Sequence, residues 1–164
     1  MNHEALQRAK DGLQIQDVFL AASSSSLAEG FDPKFDPRIE NMELELRHIP
    51  KRSYLINGTH EGEEISIFRV EIEAGARQTV AFNGQEGEEA QPEVLVRIEA
   101  TFMADYLILD PALFDDREAL DSFALANASY HVWPYWREFL STQAVRMNLP
   151  KIMLPIVQFP KSKN

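Results

Sequence analysis

Apolar and polar residues alternate along most of the first two thirds of the chain, and this period of two predicts half-buried β-strands. The longest alternation runs over Glu93–Leu109, where Val94 and every second residue as far as Ile108 are apolar. At about 3.3 Å per residue this strand would extend roughly 50 Å, so we expect a strong twist or a β-bulge in it. Three further strands are predicted at Leu13–Ala22, Met42–Arg47 and Phe68–Glu73.

Turn-forming residues separate these strands. Ser23–Arg38 contains four consecutive serines, a glycine and two prolines, which predicts a loop. Asn57–Gly58 predicts a turn, and Asn83–Gln91 predicts an exposed connection rich in glutamate. The first loop also carries Phe31 and Phe35. Two interpretations stay open: these rings tuck into the domain and pin the loop, or they form one wall of a peptide groove.

The last third of the chain changes to helical spacing. Apolar residues recur there at steps of three and four, which predicts one apolar stripe on a helix. Pro134 suits the first turn of this helix, Asn148 suits the position just after its end, and Pro150 prevents continuation. The stripe is a core face, a subunit interface or a surface for non-native polypeptide. Its members are Val132, Trp136, Phe139, Leu140, Ala144 and Met147.

A second, shorter helix is predicted just before it. Asp115 or Asp116 can cap its N-terminus, and Ala119–Ala124 supplies an apolar face. Asn127–Val132 would then link the two helices. Four strands followed by two helices predict an α+β fold, with a four-stranded antiparallel sheet and both helices on one face.

Composition narrows the classes of function. The chain has 164 residues, a formal charge of −10 and a pI near 4.8, which argues against nucleic-acid and anionic-membrane partners. With no cysteine there is no disulfide framework. The first residues are polar and lack the pattern of a signal peptide, and no apolar run is long enough to span a membrane. We therefore expect a cytoplasmic protein of ordinary domain size.

Motifs for catalysis or cofactor binding are missing from the sequence. Its four histidines are scattered, and no pair has the spacing of a helical metal site. There is no phosphate-binding glycine motif and no nucleophile elbow. His60 lies among glutamates, which indicates a solvated turn. The expectation is a protein that is not an enzyme and that uses no cofactor and no metal.

Several short motifs resemble the SecB export-chaperone family. Trp133–Glu138 reads Trp-Pro-Tyr-Trp-Arg-Glu, and it is followed by Arg146 and by Leu149–Pro150. Leu154–Phe159 then reads Leu-Pro-Ile-Val-Gln-Phe, like the Leu-x-Pro hydrophobic tail of SecB. Near the start, Leu13–Gln16 resembles the first-strand signature of that family. The resemblance covers roughly Leu13 to Phe159, and the C-terminal motif is the more specific one.

The resemblance implies a cytosolic holdase that binds unfolded precursor polypeptides in hydrophobic grooves without ATP, for protein transport through the translocation motor SecA. It also implies a homotetramer built as a dimer of dimers. The expected oligomer-interface residues are Leu13, Ile15, Trp133, Trp136, Phe139 and Leu140. The expected client-binding residues are Phe31, Phe35, Met153, Ile156 and Phe159.

The chain departs from SecB where that family carries acidic residues for contact with SecA. Those positions here are Ala22 and Ser26, and a third falls on Arg97 or Glu99. We therefore expect weak binding of SecA. A scaffold dedicated to one partner, such as an antitoxin or a single secreted client, fits as an alternative to a general holdase. The expected organisation is a flexible N-terminus at 1–12, a SecB-like domain at 13–159 and a tail at 160–164.

Overall fold

Four long antiparallel strands form a single sheet in the computed structural model, which describes residues 2–81 and 91–154. The order across the sheet is β1-β4-β3-β2, so the first two strands of the chain lie at the two edges. The predicted α+β class with a four-stranded antiparallel sheet is confirmed. Most of the predicted Asn83–Gln91 connection lies outside the described residues. The strands are β1 Leu13–Leu27, β2 Glu43–His60, β3 Glu63–Val80 and β4 Glu93–Ile108.

Two predicted breaks fall inside strands. The four serines belong to β1, where Ser26 pairs with Arg97 of β4, so the loop begins only after Leu27. Asn57–Gly58 is not a turn, because it lies within β2 and pairs with β3. The hairpin instead turns at Glu61–Gly62, where both residues have positive φ, 52° and 86°. Pairing with a distant strand has overridden the local turn preference in both places.

Bulges occur at several points in the sheet, as expected for strands of this length. In β4 the register passes from Val94 to Val96 and leaves Leu95 over, which confirms the bulge predicted there. Lys51 is left over in the same way in β2, beside Pro50. An extra residue bends a strand and strengthens its twist, so the sheet curves around its helices.

The C-terminal helices form one continuous helical path from Arg117 to Arg146. Asp116 caps its start, as predicted, by accepting a hydrogen bond from the backbone N–H of Ala119. The predicted link at Asn127–Val132 is helical, and Pro134 lies inside the last helix instead of in its first turn. The wider π-helical turn immediately upstream is the kind of local adjustment that accompanies a proline inside a helix. The segments are α2 Arg117–Phe123, a π-helical turn Ala124–Ala128 and α3 Ser129–Arg146.

The N-terminal segment is helical instead of loose. Helix α1, His3–Gly12, is capped by Asn2 and packs on α2. Ala5 and Ala9 are buried in this contact, and Arg8 donates a hydrogen bond of 2.7 Å to Asp116. None of the helices among the described residues is long and apolar enough to cross a membrane.

The apolar stripe of α3 forms the core with the two central strands. Trp136 and Leu140 are fully buried, and Trp136 stacks on Phe139, which meets Phe102 of β4 edge to face. Trp136 and Leu140, expected at an oligomer interface, therefore pack against the chain's own sheet and are not exposed to a partner. The helix ends at Arg146, and Asn148 follows it with a φ of 55° and a backbone N–H that donates to the carbonyl of Val145, as predicted for the position just after the end.

His48 joins β2 to the start of α3. Its ring meets Trp133 edge to face, with 5.2 Å between ring centroids. The Nε2 atom of His48 is buried and has no hydrogen-bond partner among the described residues. Burial lowers the pKa of His48 from 6.5 to about 4, because the charged ring would lose its hydration.

We predict that truncating Leu140 destabilises the single chain. Leu140→Ala should lower the free energy of unfolding by about 2–5 kcal/mol, because it leaves a cavity beneath the sheet. Urea unfolding followed by tryptophan fluorescence measures this change. Val145→Ala on the same helix is the control, because Val145 is 76% exposed and should change stability by less than about 0.5 kcal/mol. Equal effects of the two variants would contradict the core assignment.

A second prediction concerns acid stability. His48 takes up its proton near pH 6.5 when unfolded but only near pH 4 when folded, so stability present above pH 6.5 is lost as the pH falls towards 4. His48→Gln should remove this part of the slope between the two pH values. Urea unfolding at a series of pH values measures it, with His60→Gln at an exposed position as the control. Parallel slopes for the wild type and His48→Gln would contradict the prediction.

Candidate polypeptide-binding surface

The helices cover the middle of the sheet and leave its two margins open. Four strands spaced about 4.8 Å apart make a sheet wider than one helix of about 10 Å. Residues paired across the sheet share a face, and the helix-side face is marked by Phe102 and Tyr106, which contact α3 or α2. Apolar side chains at both edges of that face are exposed. We name them the β1 margin, Ile15, Leu20 and Leu27, and the β2 margin, Leu44 and Leu46.

The β2 margin lies on an edge strand. Leu44 and Leu46 are 39% and 42% exposed, although they pair with Gln78 and Ala76 on the covered part of β3. Met42, just before the strand, is half-buried against the core and lines a cavity of about 780 Å³ at this end of the sheet. An exposed apolar row beside an unpaired strand edge is suited to an extended polypeptide, which alternates side chains in the same way.

The two aromatic rings in the loop between β1 and β2 differ in their environment. The sequence left open whether they pin the loop or form one wall of a peptide groove. Phe31 is buried, and the guanidinium of Arg38 lies 5.9 Å from its ring centroid. Arg38 bonds to Asp36 and to Glu93 of β4, which fastens the loop to the sheet and lowers the pKa of Asp36. Phe31 therefore pins the loop. Phe35 is 76% exposed, and the ammonium group of Lys34 lies 5.2 Å from its ring centroid.

The segment after α3 returns along that helix. Ile152 and Leu154 are buried, whereas Met153 between them is 74% exposed. Met153 lines a cavity of about 450 Å³ with Pro134 and other residues of α3, and Phe35 does not line this cavity. The structure thus presents two of the predicted client-binding residues, Phe35 and Met153, at separate places. The predicted Ile156 and Phe159 lie outside the described residues.

The residues expected at an oligomer interface also differ in their exposure to solvent. Ile15 is exposed on the β1 margin, but Leu13 beside it is buried. Trp133 and Phe139 are half-buried against the core, next to the fully buried pair described above. The sequence prediction missed Leu20, Leu27, Tyr135 and Val145, which are all exposed. The exposure of Tyr135 and Val145 could have been predicted, because both residues lie outside the apolar stripe of α3.

The opposite face of the sheet, which we call the open face, is covered by charged pairs instead of helices. Arg69 and Asp105 form two hydrogen bonds of 2.6 Å, and Arg52 bonds to Glu71. The Lys51 ammonium bonds to Glu73 and holds the pKa of that carboxyl below its usual range. Ala22 and Ser26 lie on this face, and Ser26 pairs with Arg97, so the departures from the SecB pattern are close together.

No group of three or more metal-ligating side chains occurs within the parts of the chain that the structure describes. One pair of side chains suited to proton transfer lies in the interior. The Tyr106 hydroxyl lies 3.0 Å from Nδ1 of His131, and burial raises the pKa of Tyr106 and lowers that of His131. Tyr106 is fully buried, so the pair joins β4 to α3 and offers no open site to a substrate.

Comparison with known proteins supports the architecture. No protein-family model and no curated protein matches this chain. Among solved structures, the chain is similar to the SecB-like chaperone Rv1957 of Mycobacterium tuberculosis, solved in complex with a ChAD peptide from the HigA1 antitoxin. The sequences are 19% identical, the TM-score is 0.66, and the match covers 97% of this chain and 100% of the other. The chain has a SecB-like fold.

Proposed function

We propose that this protein is an ATP-independent molecular chaperone, a holdase that binds extended apolar segments of unfolded polypeptides. The observation that carries the proposal is the β2 margin, an exposed apolar row on a strand whose outer edge pairs with no other described strand of this SecB-like sheet. A client strand added at this edge would satisfy its backbone hydrogen bonds on β2 and place alternate side chains on Leu44 and Leu46. The exposed Phe35 and Met153 would extend the apolar contact.

Charge favours the same role. With a formal charge of −10 on each chain, separate loaded particles repel one another, so a loaded chaperone stays soluble even with an apolar client on its surface. The same charge favours clients that carry lysine and arginine beside their apolar residues. Binding of this kind needs no catalysis, no cofactor and no nucleotide, and we place it in the cytoplasm.

Self-association belongs to the proposal because the β1 margin needs a cover. Strand β1 is an edge strand, and Asp17 is its one charged residue. Natural proteins protect such edges with charges, prolines or a partner, and here a second copy is the simplest partner. A dimer of dimers, as in SecB, would bury Ile15, Leu20 and Leu27 and leave the β2 margin free for clients.

A scaffold dedicated to one partner is the second candidate. The mycobacterial chaperone of the same fold was solved with an antitoxin peptide, which favours a single polypeptide partner over a broad range of clients. In either case we propose weak coupling to SecA. Ala22 and Ser26 supply no carboxylate on the open face, and Arg97 adds a positive charge beside them.

We predict that the protein, at about stoichiometric amounts, suppresses the aggregation of several chemically different unfolded proteins, measured by light scattering. Leu46→Gln should weaken client binding by about 1 kcal/mol, or about fivefold in Kd, because its exposed part no longer gains apolar contact. Leu109→Gln is the matched control, since Leu109 is also exposed but follows the opposite end of β4.

Two results would count against this proposal. If unrelated clients all aggregate unchanged, a general holdase is ruled out and the dedicated scaffold is favoured. If Leu46→Gln and Leu109→Gln weaken suppression equally, the β2 margin is not the client site.

We also predict a native particle that contains several 18.7 kDa chains. Leu20→Glu should reduce its mass, because a charge on the β1 margin would have to be buried between copies. Light scattering coupled to size-exclusion chromatography measures the mass. Leu20 is exposed in the single chain, so this variant should keep its fold, as circular dichroism would show. A wild-type monomer, or an unchanged mass in the variant, would contradict the assembly.

A further inference from the structure

The open face carries a corner where three arginines surround a glycine. Two neighbouring rows of side chains cross the sheet there, and each row consists of residues that pair with one another across adjacent strands. One row runs from Arg47 through Gly75 to Glu99, and the next runs from Glu45 through Arg77 to Arg97. These side chains enclose a cavity of about 280 Å³. Gly75 forms its floor, because it has no side chain to fill the space between Arg47 and Glu99.

The arginines of this corner are poorly paired compared with those elsewhere on the same face. Arg77 and Arg97 stand directly opposite each other, and like charges in that position destabilise a sheet. Arg77 bonds to Glu45, but the nearest described carboxylate to Arg97 is that of Glu99 at 3.7 Å. Arg47 lies 3.6 Å from Glu73 and 3.8 Å from Glu99, which is beyond hydrogen-bond distance.

Unfilled hydrogen-bond capacity therefore remains at the corner. Each guanidinium has five N–H donors in a planar arrangement that fits a carboxylate with two parallel bonds. Within the described residues, the guanidinium groups of Arg47 and Arg97 donate no hydrogen bond to a protein group, whereas that of Arg69 on the same face donates two. An incoming carboxylate would relieve the repulsion between Arg77 and Arg97. It would also accept the hydrogen bonds for which the chain's own glutamates lie too far away.

The surroundings indicate what kind of carboxylate fits. Ser24 and Ser26 continue the two rows onto β1, and their small side chains leave the surface beside the cavity open as far as the sheet edge. Glu45, Glu73 and Glu99 already lie near the three arginines, so a single added negative charge is accommodated more easily than a dianion. A nucleic acid, with a charge at every phosphate, would be repelled by a chain of net charge −10.

We propose that this corner is a docking site for an acidic peptide segment of a partner protein, which inserts one aspartate or glutamate side chain among Arg47, Arg77 and Arg97. The three arginines lie on the face opposite Leu44 and Leu46, although Leu46 also lines the cavity. Arg97 is on β4, two strands away from the β2 edge that clients would use. The two proposals can therefore fail separately.

Fluorescence anisotropy with a labelled serine-rich peptide that carries one glutamate tests the proposal on the full chain. A peptide with glutamine in place of glutamate is the reference. We expect the acidic peptide to bind at least tenfold more tightly than the reference at low salt, and its advantage to shrink as salt is added. This result would run against the net charge of the protein, so general electrostatic attraction would not explain it. Equal binding of the two peptides would overturn the proposal.

Variants locate the site. Arg97→Gln and Arg47→Gln should each weaken the acidic peptide about tenfold, while Arg117→Gln, an equal charge change on α2, should leave affinity within twofold. Gly75→Val should also abolish the preference, because it fills the floor of the cavity without changing charge. Thermal unfolding verifies that each variant is folded, and aggregation suppression should stay unchanged in Arg97→Gln, because Arg97 lies on β4 and not on the client strand β2. If Arg117→Gln weakens binding as much as Arg97→Gln, or if millimolar inorganic phosphate displaces the peptide, the peptide site is rejected.

Discussion

The packing of one helix across a sheet wider than itself determines the rest of this structure. Trp136 and Leu140 anchor α3 over the two central strands, and the four strands together span about twice the width of a helix. The helix-side face of the central strands is therefore covered, while the same face of both edge strands keeps some apolar side chains exposed to solvent. This mismatch of widths leaves the exposed apolar area for which we propose a second copy and an unfolded client as covers.

The sheet also separates its two faces by chemistry. The helix-side face has exposed apolar area at its margins, where contact with a partner is stabilised by the removal of water from apolar surface. The open face is held by cross-strand ion pairs, from the two-bond Arg69–Asp105 pair at one end to the long contacts around Gly75 at the other. The two partners that we propose, an unfolded client and an acidic peptide, would therefore be bound by different kinds of interaction.

Local sequence patterns predicted which strands and helices are present better than they predicted where each one begins and ends. The strand alternations, the stripe of α3, the Asp116 cap and the Asn148 end position depend on neighbouring residues, and the structure has all of them. The serine run and Asn57–Gly58 were misassigned because pairing with distant strands decides them. The site was harder still. Phe31 and Phe35 are indistinguishable in sequence, and only the bonds of Arg38 to Asp36 and Glu93 determine that one is buried and the other exposed.

The shape of the candidate surface explains why affinity would come from length instead of depth. Leu44 and Leu46 are more than half covered already, so each adds only about 1 kcal/mol when a client removes the remaining water. Micromolar binding needs about 8 kcal/mol, besides the entropy lost in ordering the client. A short peptide therefore gains too little, and several contacts along an edge strand of 18 residues are required. Extended, unfolded polypeptide provides such contacts, whereas a folded protein buries its apolar residues and presents no free strand.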